Sequence, residues 1–420
     1  MNLRFLDLFA GAGGLSEGFI RTGYKPIAHV EMDSSACYTL KTRAAYNYLA
    51  QHGNIQPYID YLSGYIKRNE FYSQIPIKIL DTVINATISS KTIESIFLKI
   101  EQLLNGQTVD LIIGGPPCQA YSLIGRARDS NRMMDDKRNY LFIYYAQFLQ
   151  RFKPKYFVFE NVQGLLSAKN NKGQLIFKVM QNVFSAAGYT LEYQVLNAGD
   201  YGVPQNRKRV IIVGKQGNGS SFFPSLELVD TKVPISEILR DLPKIKNGEG
   251  SFGPCKVSKY YHPYLDALNI RSSDVPVTFH KTRSLQKRDC EIYHRAIDCW
   301  NKEHTRLNYN QLPQILMTHK NKNSFIDRFK VVAGDLYRCH TVVAHASHDG
   351  HFYIHPDITQ NRSLSPRELA RIQTFPDNYY FESASGEPTF SAAYKQIGNA
   401  VPVVFAQRLA EKLKEGWNND

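Results

Sequence analysis

The sequence predicts an α/β protein with a doubly wound sheet, followed by a second, smaller irregular domain. Short apolar segments alternate with amphipathic helical patterns through the first half of the chain. Most of these apolar segments lack a polar face, as is typical of strands buried on both sides. After about residue 215 the alternation stops, and polar segments with Pro, Gly and His replace it.

Five apolar segments are predicted as strands, with helical patterns between them. The strands are LRFLDLFA (3–10), KPIAHVEM (25–32), TVDLIIGG (108–115), KYFVFENV (155–162) and RVIIVG (209–214). The helical patterns cover 14–23, 34–50, 139–152 and 173–187. The long connection 51–105 is interpreted as an insertion, mostly helical at 91–104, with room for one more strand ending at Asp81.

Three parts of the chain are distinguished: 1–215, with the sheet and its insertion, 216–360, the irregular domain, and 361–420. The last part contains a helix-capping signature, in which Ser365 precedes Glu368 by three residues. It closes with the amphipathic pattern VPVVFAQRLAEKLKEGW, which predicts a final helix.

Composition favours a nucleic-acid partner. The 420 residues include 51 Lys and Arg against 38 acidic residues, and a formal charge of +13 attracts polyanions. The six cysteines form no C-x-x-C pair and have no zinc-like spacing to histidines, so we expect reduced thiols, a cytoplasmic location and no metal site. We see no signal-peptide pattern and no apolar run of membrane length, and therefore expect no membrane partner.

A glycine-rich turn, DLFAGAGG (7–14), follows the first predicted strand. Its small residues let a ligand lie against the backbone at the carboxyl end of the strand, although a tight turn without a ligand is the alternative. The second strand ends in VEMD, which places Glu31 where its carboxylate can accept hydrogen bonds from ribose hydroxyls. Because Ser16 stands where a dinucleotide motif has its third glycine, the pattern favours another adenosine-containing cofactor.

Cys118 lies in GGPPCQAYS, directly after a buried strand. Pro116 and Pro117 restrict the backbone on its approach, and Arg126 and Arg128 follow downstream, where positive charge could stabilise a thiolate. A nucleophile is one interpretation and a small buried hydrophobic residue is the other. This segment alone leaves both open.

Two further motifs end or begin apolar strands. Glu160 in FVFENV could donate a hydrogen bond as a neutral acid, or could cap a following helix. In GVPQNRKRV, the residues Gln205, Arg207 and Arg209 alternate into a strand, so we expect their side chains to share one face. Such arginines can bind a phosphate or a carbonyl oxygen, and a solvated basic face is the alternative.

Together these motifs resemble those of the DNA (cytosine-5)-methyltransferases, bacterial modification enzymes that use S-adenosylmethionine. The similar stretches, in the family's order, are DLFAGAGGLSEGF, VEMD, GGPPCQAYS, ENV, QNRKRV, RSLSPRELARIQTFPDNY and YKQIGNAVP. The resemblance implies a Rossmann-like S-adenosylmethionine-dependent methyltransferase sheet in 1–215 and a smaller target-recognition domain that binds DNA in 216–360. It also implies that the last helix returns to pack on the catalytic domain.

The resemblance implies a covalent mechanism without a metal. Cys118 would add to C6 of a cytosine flipped out of duplex DNA, Glu160 would hydrogen-bond or protonate N3, and Arg209 would bind O2. Arg207 would bind the adjoining phosphate or the active-site loop, and Gln205 belongs to the same motif. S-adenosylhomocysteine would be the cofactor product.

Cofactor-binding residues are carried over position by position. Phe9, Ala10, Gly11 and Gly13 would line the methionine end, Glu31 the ribose and Met32 the adenine. The remaining assigned positions are Gly14, Asp81, Pro116, Leu141, Asn399 and Val401. Two of these residues depart from the family pattern: Met32 replaces a large aromatic residue of many relatives, and Asp81 lacks the glycine that precedes the adenine-contacting acid.

DNA contacts are expected in the loop 119–139, which resembles a segment that closes over the flipped base, and in the domain 216–360. The assigned residues are Gln119, Ser122, Arg126, Arg128, Lys281, Arg283, Lys287, Arg288, Lys320 and Lys322. A solvated charge is the alternative for each basic residue in this set.

The expected function is sequence-specific methylation of cytosine C5 in duplex DNA. The methylation would protect that DNA from a cognate restriction endonuclease, without a stable complex between the two enzymes, and an orphan enzyme that has no such endonuclease is equally consistent with the sequence. A transfer-RNA cytosine-5 methyltransferase has a similar core, but the large variable region favours duplex reading. A non-catalytic DNA-binding regulator is disfavoured by the complete set of motifs, and a small-molecule methyltransferase leaves the basic region unexplained. The resemblance favours a monomer.

Overall fold

A seven-stranded sheet forms the centre of the computed structural model, which describes residues 2–117, 140–219, 221–271, 274–319 and 325–418. Its strands are β1 (Arg4–Leu8), β2 (Lys25–Glu31), β3 (Val83–Asn85), β4 (Leu111–Gly114), β5 (Tyr156–Asn161), β6 (Tyr189–Asn197) and β7 (Lys208–Gln216). Their order is β3-β2-β1-β4-β5-β7-β6, and β7 is antiparallel to both of its neighbours whereas the other pairs are parallel. A small separate sheet pairs β8 (Gly250–Ser251) with β9 (His280–Lys281).

Helices connect and cover these strands. Within the described ranges they are α1 (Gly14–Arg21), α2 (Ser34–Gln51), α3 (Gln56–Leu62), α4 (Arg68–Ser73), α5 (Ile77–Leu80), α6 (Ile93–Leu104), α7 (Leu141–Phe152), α8 (Ile176–Ala186), α9 (Ile235–Leu239), α10 (Tyr264–Ala267), α11 (Lys287–Glu303), α12 (Pro366–Ile372), α13 (Phe390–Asn399) and α14 (Val403–Asn418). None of the helices in this described part of the chain is long and apolar enough to cross a lipid bilayer.

Both faces of the sheet are covered, which confirms the predicted doubly wound α/β sheet. Successive strand residues point to opposite faces, so Leu6 and Phe157 pack with α6, α7 and α8, whereas Phe5 and Ile113 pack with α1 and α14. This double burial explains why the strand sequences are apolar throughout.

Helix α14 lies directly against α1. A Cβ atom on Gly18 would stand only 2.4 Å from the backbone nitrogen of Gln407 and 2.5 Å from the Cβ of Ala406. Real Cβ atoms do not approach other atoms this closely, so glycine is required for the two helices to meet. The end of the chain thereby packs beside the glycine-rich turn that precedes α1.

Another apolar cluster joins the irregular region 216–360 to the C-terminal segment. It contains Phe279 and Tyr353 from the former and Leu369 from the latter. The division of the chain at residue 360 stays a prediction, since one hydrophobic cluster contains residues from both sides of it. The predicted capping signature is confirmed: Ser365 and Glu368 form a reciprocal capping box at the start of α12.

A buried ionic network holds α12 in this cluster. The Arg371 guanidinium donates from Nη2 to Asp377 at 2.7 Å and to Asp241 at 3.0 Å, and all three side chains are buried. Arg271 lies at the edge of the network, with Nε 3.4 Å from the Asp241 carboxylate. The network connects the C-terminal segment to residues before position 360.

Replacing Arg371 with methionine is expected to lower the free energy of unfolding by about 3 kcal/mol, because the carboxylates of Asp241 and Asp377 would remain buried without their main cation. Urea denaturation followed by circular dichroism measures the change. Arg151→Met is the control, since its pair with Glu101 is exposed and should contribute less than about 1 kcal/mol. Equal effects of the two substitutions would contradict the prediction.

Candidate active site

The carboxyl ends of the parallel strands β1, β2, β4 and β5 meet at one edge of the sheet. The strand register places Leu8 beside Val30 and Gly114, and Gly114 beside Phe159. Open α/β sheets bind ligands at this edge. The predicted site residues that come together here are Phe9, Ala10, Gly11, Gly13, Gly14, Glu31, Met32, Pro116 and Glu160.

The glycine-rich turn leaves its backbone open. Phe9 and Gly11 have positive φ values, 57° and 54°. A Cβ atom on Gly11 would have no neighbour within 4 Å, and the Gly11 amide donates to Oε2 of Glu31 at 2.8 Å. A tight turn alone would explain the positive φ values, but the open space above Gly11 favours a turn that receives a ligand.

Glu31 is held by backbone amides and keeps room for another donor. Its carboxylate accepts hydrogen bonds from the amides of Gly11 (2.8 Å), Met32 (2.9 Å) and Asp33 (2.7 Å). Burial raises the pKa of Glu31, and the three amides oppose that rise. Since a carboxylate has about four acceptor positions, one remains for a hydroxyl group. The adjacent Met32 side chain is 61% exposed and provides an apolar surface at the same place.

The predicted strand end at Asp81 is wrong. Residues Ile77–Leu80 form α5, Asp81 follows that helix, and β3 begins only at Val83. Asp81 thus lies at the amino end of β3, on the side of the sheet away from the glycine-rich turn. Short apolar runs do not distinguish strand from helix by periodicity. The stretch IPIKILDTVINA (75–86) is therefore compatible both with a strand that ends at Asp81 and with the observed helix followed by a strand.

Asn85 occupies the carboxyl end of β3 instead, beside Glu31 in the register. Its Nδ2 donates to the carbonyl oxygens of Glu31 and Met32, each at 3.2 Å. The sequence prediction does not include this residue. The sequence pattern that could have indicated Asn85 is a polar side chain directly after the apolar pair VI (83–84), as in the other strand-end motifs.

Glu160 and Arg209 form the second half of the site. Arg209 Nε lies 2.8 Å from Glu160 Oε1, and each side chain is only 13% exposed. The helical turn that follows β5 begins after Val162, so Glu160 is not its cap. Asn161, also missed by the prediction although it belongs to ENV, donates from Nδ2 to the Pro116 carbonyl at 3.3 Å. The strand that carries Glu160 therefore also holds the backbone leading to Cys118.

Gln205 and Arg207 lie just before β7, and their buried side chains hydrogen-bond to other segments of the chain. Gln205 donates to the Gln373 side-chain oxygen at 2.8 Å and accepts from the Val342 amide at 3.1 Å. Arg207 donates to the carbonyl oxygens of Val342 (2.6 Å) and Gly398 (3.3 Å). Both side chains are buried, with exposed fractions of 0% and 2%. Their hydrogen bonds join the start of β7 to three segments that are distant along the chain.

The expectation that Gln205, Arg207 and Arg209 share one face is therefore wrong. Strand β7 begins only at Lys208, so alternation does not extend to the two earlier residues. Arg209 is directed toward the Glu160 carboxylate, whereas the other two are packed inside the protein. The catalytic assignment of Gln205 and Arg207 stays a prediction, and their contacts favour a supporting role.

The end of the chain completes the cofactor side of the edge. The carbonyl oxygen of Val401 would lie 2.4 Å from a Cβ on Gly14, which places the GNAVP segment against the glycine-rich turn. Asn399 ends α13 with an exposed side chain. Leu141 is the first residue of α7. The roles of all three in cofactor binding stay predictions.

The assigned DNA-contacting residues divide into two sets. Cys118 and the assigned residues Gln119, Ser122, Arg126, Arg128, Lys320 and Lys322 lie outside the described residues, as does the whole loop 119–139. In the described part, Lys281 lies on β9 with Nζ 4.9 Å from the Phe252 ring centre, and Arg283 donates to the Ser347 carbonyl at 2.7 Å. Lys287 is the first residue of α11, and the next residue, Arg288, pairs with Asp289. Their contacts with DNA stay predictions. Among the described residues, no three His, Cys, Asp or Glu side chains are grouped as metal ligands.

Gly115→Ala is expected to reduce activity about a hundredfold with little loss of stability. The new Cβ would lie 2.6 Å from Glu160 Oε2 and 3.1 Å from its carbonyl oxygen, so the carboxylate would have to move. Displacement of a reacting group by about 1 Å can cost this much. Initial rates and thermal melting measure the two effects, with Gly416→Ala, whose Cβ would meet no atom within 4 Å, as the control. Full activity of the alanine variant would contradict this description of the site.

The comparisons with known proteins agree with this geometry. The family model for C-5 cytosine-specific DNA methylase matches residues 3–57 and 77–415. The type II methyltransferase M.Bpa9945I of Bacillus paralicheniformis is 40% identical over 98% of this chain and 99% of its own length. M.DdeI of Desulfomicrobium norvegicum, also a type II methyltransferase, is 31% identical over 99% of this chain and 90% of its own. A prophage-encoded E. coli chain of known structure superimposes with a TM-score of 0.64 at 22% identity, covering 99% of this chain and all of that one.

The sheet order and the open turn at its carboxyl edge define a Rossmann-like fold, and the match to the family model makes it that of a methyltransferase. The chain belongs to the C-5 cytosine-specific DNA methylase family, and its activity is the methylation of cytosine C5 in DNA. The predicted family and the predicted methylation of cytosine C5 in DNA are thereby confirmed, and the transfer-RNA alternative is not favoured.

Proposed function

We propose that this protein transfers a methyl group from S-adenosylmethionine to C5 of one cytosine within a specific sequence of duplex DNA, and so protects that DNA from a restriction endonuclease. The observation that carries the proposal is the juxtaposition, at one sheet edge, of an open glycine-rich turn and the Glu160–Arg209 pair. Protection from an endonuclease is supported by the relatives named as type II methyltransferases.

The residues present fit S-adenosylmethionine. The open backbone at Gly11 leaves room for the methionine end, the remaining acceptor position of Glu31 suits a ribose hydroxyl, and the exposed Met32 suits the adenine face. When bound, this cofactor supplies an electrophilic methyl group and leaves as S-adenosylhomocysteine.

Cys118 is proposed as the nucleophile. Its thiolate forms a bond to C6 of the flipped cytosine, and the π pair of the C5=C6 double bond shifts toward N3, which makes C5 nucleophilic toward a methyl group. After C5 is methylated, its proton passes to a base, the C5–H electron pair restores the C5=C6 double bond, and the C6–S bond breaks to release the thiolate. Gly115 and Pro116, which lead to Cys118, lie against Glu160 and Asn161.

Glu160 and Arg209 are proposed to bind the cytosine edge. Glu160 hydrogen-bonds or protonates N3, which draws electron density from C6, and Arg209 donates to O2. The Arg209 guanidinium is oriented in advance, since Nε donates to Glu160 and Nη1 to the Lys208 carbonyl at 2.8 Å. Such preorganised donors need little rearrangement when the base enters.

The decisive experiment incubates the protein with methyl-labelled S-adenosylmethionine and mixed-sequence duplex DNA, and then maps modified cytosines by bisulfite sequencing. We expect label in DNA at cytosines within one short sequence. Transfer RNA and single-stranded DNA are parallel substrates. Label confined to RNA, or cytosine modification without sequence preference, would contradict the proposal.

A further inference from the structure

Helix α4 and most of helix α3 lie in a part of the chain that the family model does not cover. Residues 58–76 fall between its two matched segments. This stretch is part of the long connection 51–105, and from here on the name insertion refers to 58–76 alone. Its Tyr61 and Phe71 rings are buried and stack with centroids 4.9 Å apart, and the Tyr72 hydroxyl donates to the Tyr38 carbonyl of α2 at 3.0 Å. The insertion is thus attached to α2, the helix that starts beside Glu31.

Arg68, the first residue of α4, binds the segment 382–384 that follows α12. Its Nη1 donates to the Ser383 carbonyl at 2.6 Å and lies 3.5 Å from the Glu382 carboxylate, while Nη2 donates to the Ala384 carbonyl at 3.3 Å. The guanidinium carbon is 3.7 Å from the ring centre of Tyr38 on α2. One arginine thereby holds three consecutive residues of the C-terminal segment against α2.

Glu382 adds a buried carboxylate to this contact. Its carboxylate is 1% exposed and accepts from Thr42 at 2.6 Å and from Tyr61 at 2.7 Å. Burial raises the pKa of Glu382, and the hydrogen bonds from Thr42 and Tyr61, followed by the Arg68 guanidinium, oppose that rise. Removing Arg68 would leave a buried acid without this cation, so the segment would be held less firmly.

The held segment contacts the first turn of α2. The Ala384 amide donates to Ser35 Oγ at 3.0 Å. Asp33, the N-cap of α2, accepts from the Ser35 amide at 2.9 Å and pairs with Lys395 at 2.6 Å. The Asp33 amide in turn donates to Glu31 Oε1 at 2.7 Å. A continuous set of contacts therefore connects Arg68 to the Glu31 carboxylate.

We propose that the insertion fixes the adenosine end of the cofactor site, with Arg68 as its positioning residue. The inference rests on the proposed binding of S-adenosylmethionine. Glu31 and Met32 lie at the end of this set of contacts, whereas Glu160 and Arg209 lie on other strands. Loss of Arg68 should therefore weaken cofactor binding without slowing the chemical step, because preorganisation of a binding group affects affinity first.

The test compares Arg68→Ala with Lys67→Ala. Calorimetric titration with S-adenosylhomocysteine gives Kd, and steady-state kinetics with duplex DNA give KM and kcat. For Arg68→Ala we expect Kd and the cofactor KM to rise about tenfold, within the range of such coupling effects, with kcat and the KM for DNA changed less than about twofold. Lys67→Ala removes only an exposed pair with Glu387 at 3.2 Å and should change none of them.

Arg68→Lys provides a second variant that keeps the charge near Glu382. Lysine cannot bind the carbonyls and stack on Tyr38 together, so we expect an intermediate rise of Kd. If the alanine variant does not fold, the lysine variant decides the question. An unchanged Kd, or a lower kcat at unchanged KM, would contradict the positioning role. Failure of the unaltered protein to bind S-adenosylhomocysteine would instead contradict the cofactor proposal.

Discussion

Replacing Cys118 with serine is expected to reduce methyl transfer at least about a thousandfold, because a serine hydroxyl is a far weaker nucleophile toward C6 at neutral pH. The backbone that leads to this residue is held firmly. Gly115 has room for no side chain beside Glu160, and the Pro116 carbonyl accepts from Asn161. The substitution should therefore remove the reacting sulfur and leave the surrounding geometry unchanged.

Covalent trapping on duplex DNA that contains 5-fluorocytosine measures this directly. The unaltered protein should form a complex stable in denaturing gels, and Cys118→Ser should form none. Cys299→Ser, on helix α11, is the matched control and should trap as the unaltered protein does. Trapping by the Cys118 variant would assign the nucleophile to another residue.

Replacing Glu160 with glutamine is expected to reduce kcat by about 10²- to 10⁴-fold, the usual contribution of a positioned acid. Glutamine keeps the volume and can still accept a hydrogen bond from Arg209, which lies 2.8 Å away. It cannot give a proton to cytosine N3. Single-turnover rates with saturating DNA and S-adenosylmethionine measure the effect on the chemical step.

The control for this prediction is Glu101→Gln, which alters an exposed pair with Arg151 far from the sheet edge. Its rate should equal that of the unaltered protein. Binding of S-adenosylhomocysteine should be unchanged in Glu160→Gln, since Glu31 and Gly11 lie on other strands. A rate within about fivefold of normal would contradict an acid role for Glu160.

The strands of the sheet were predictable where both of their faces are buried. Strands β1, β4 and β5 read as apolar runs because their side chains lie between two helical layers. Strand β6 was not predicted, since it is the edge strand of the sheet and its residues 193–195 are exposed. The placement of Asp81 failed for a related reason: the helix α5 and the strand β3 are both too short to show a period.

The candidate site was predictable where chemistry requires a particular residue directly after a strand. The glycine-rich turn follows this pattern, and Glu31 and Glu160 lie within the carboxyl ends of their strands. The burial of Gln205 and Arg207 was not predictable, because their partners are segments 135 to 191 residues away along the chain. Local alternation carries no information about such partners.

The sequence by itself determined the family, the order of its motifs and the kind of chemistry at each strand end, because these depend on residue types at fixed local spacing. Only the tertiary structure decided which of those residues face the open edge and which support it. It joined Glu160 to Arg209 and placed Arg68 of the insertion on Glu382. The physical reason is that burial and ion pairing arise between segments distant in sequence, whose contacts form only when the chain is packed.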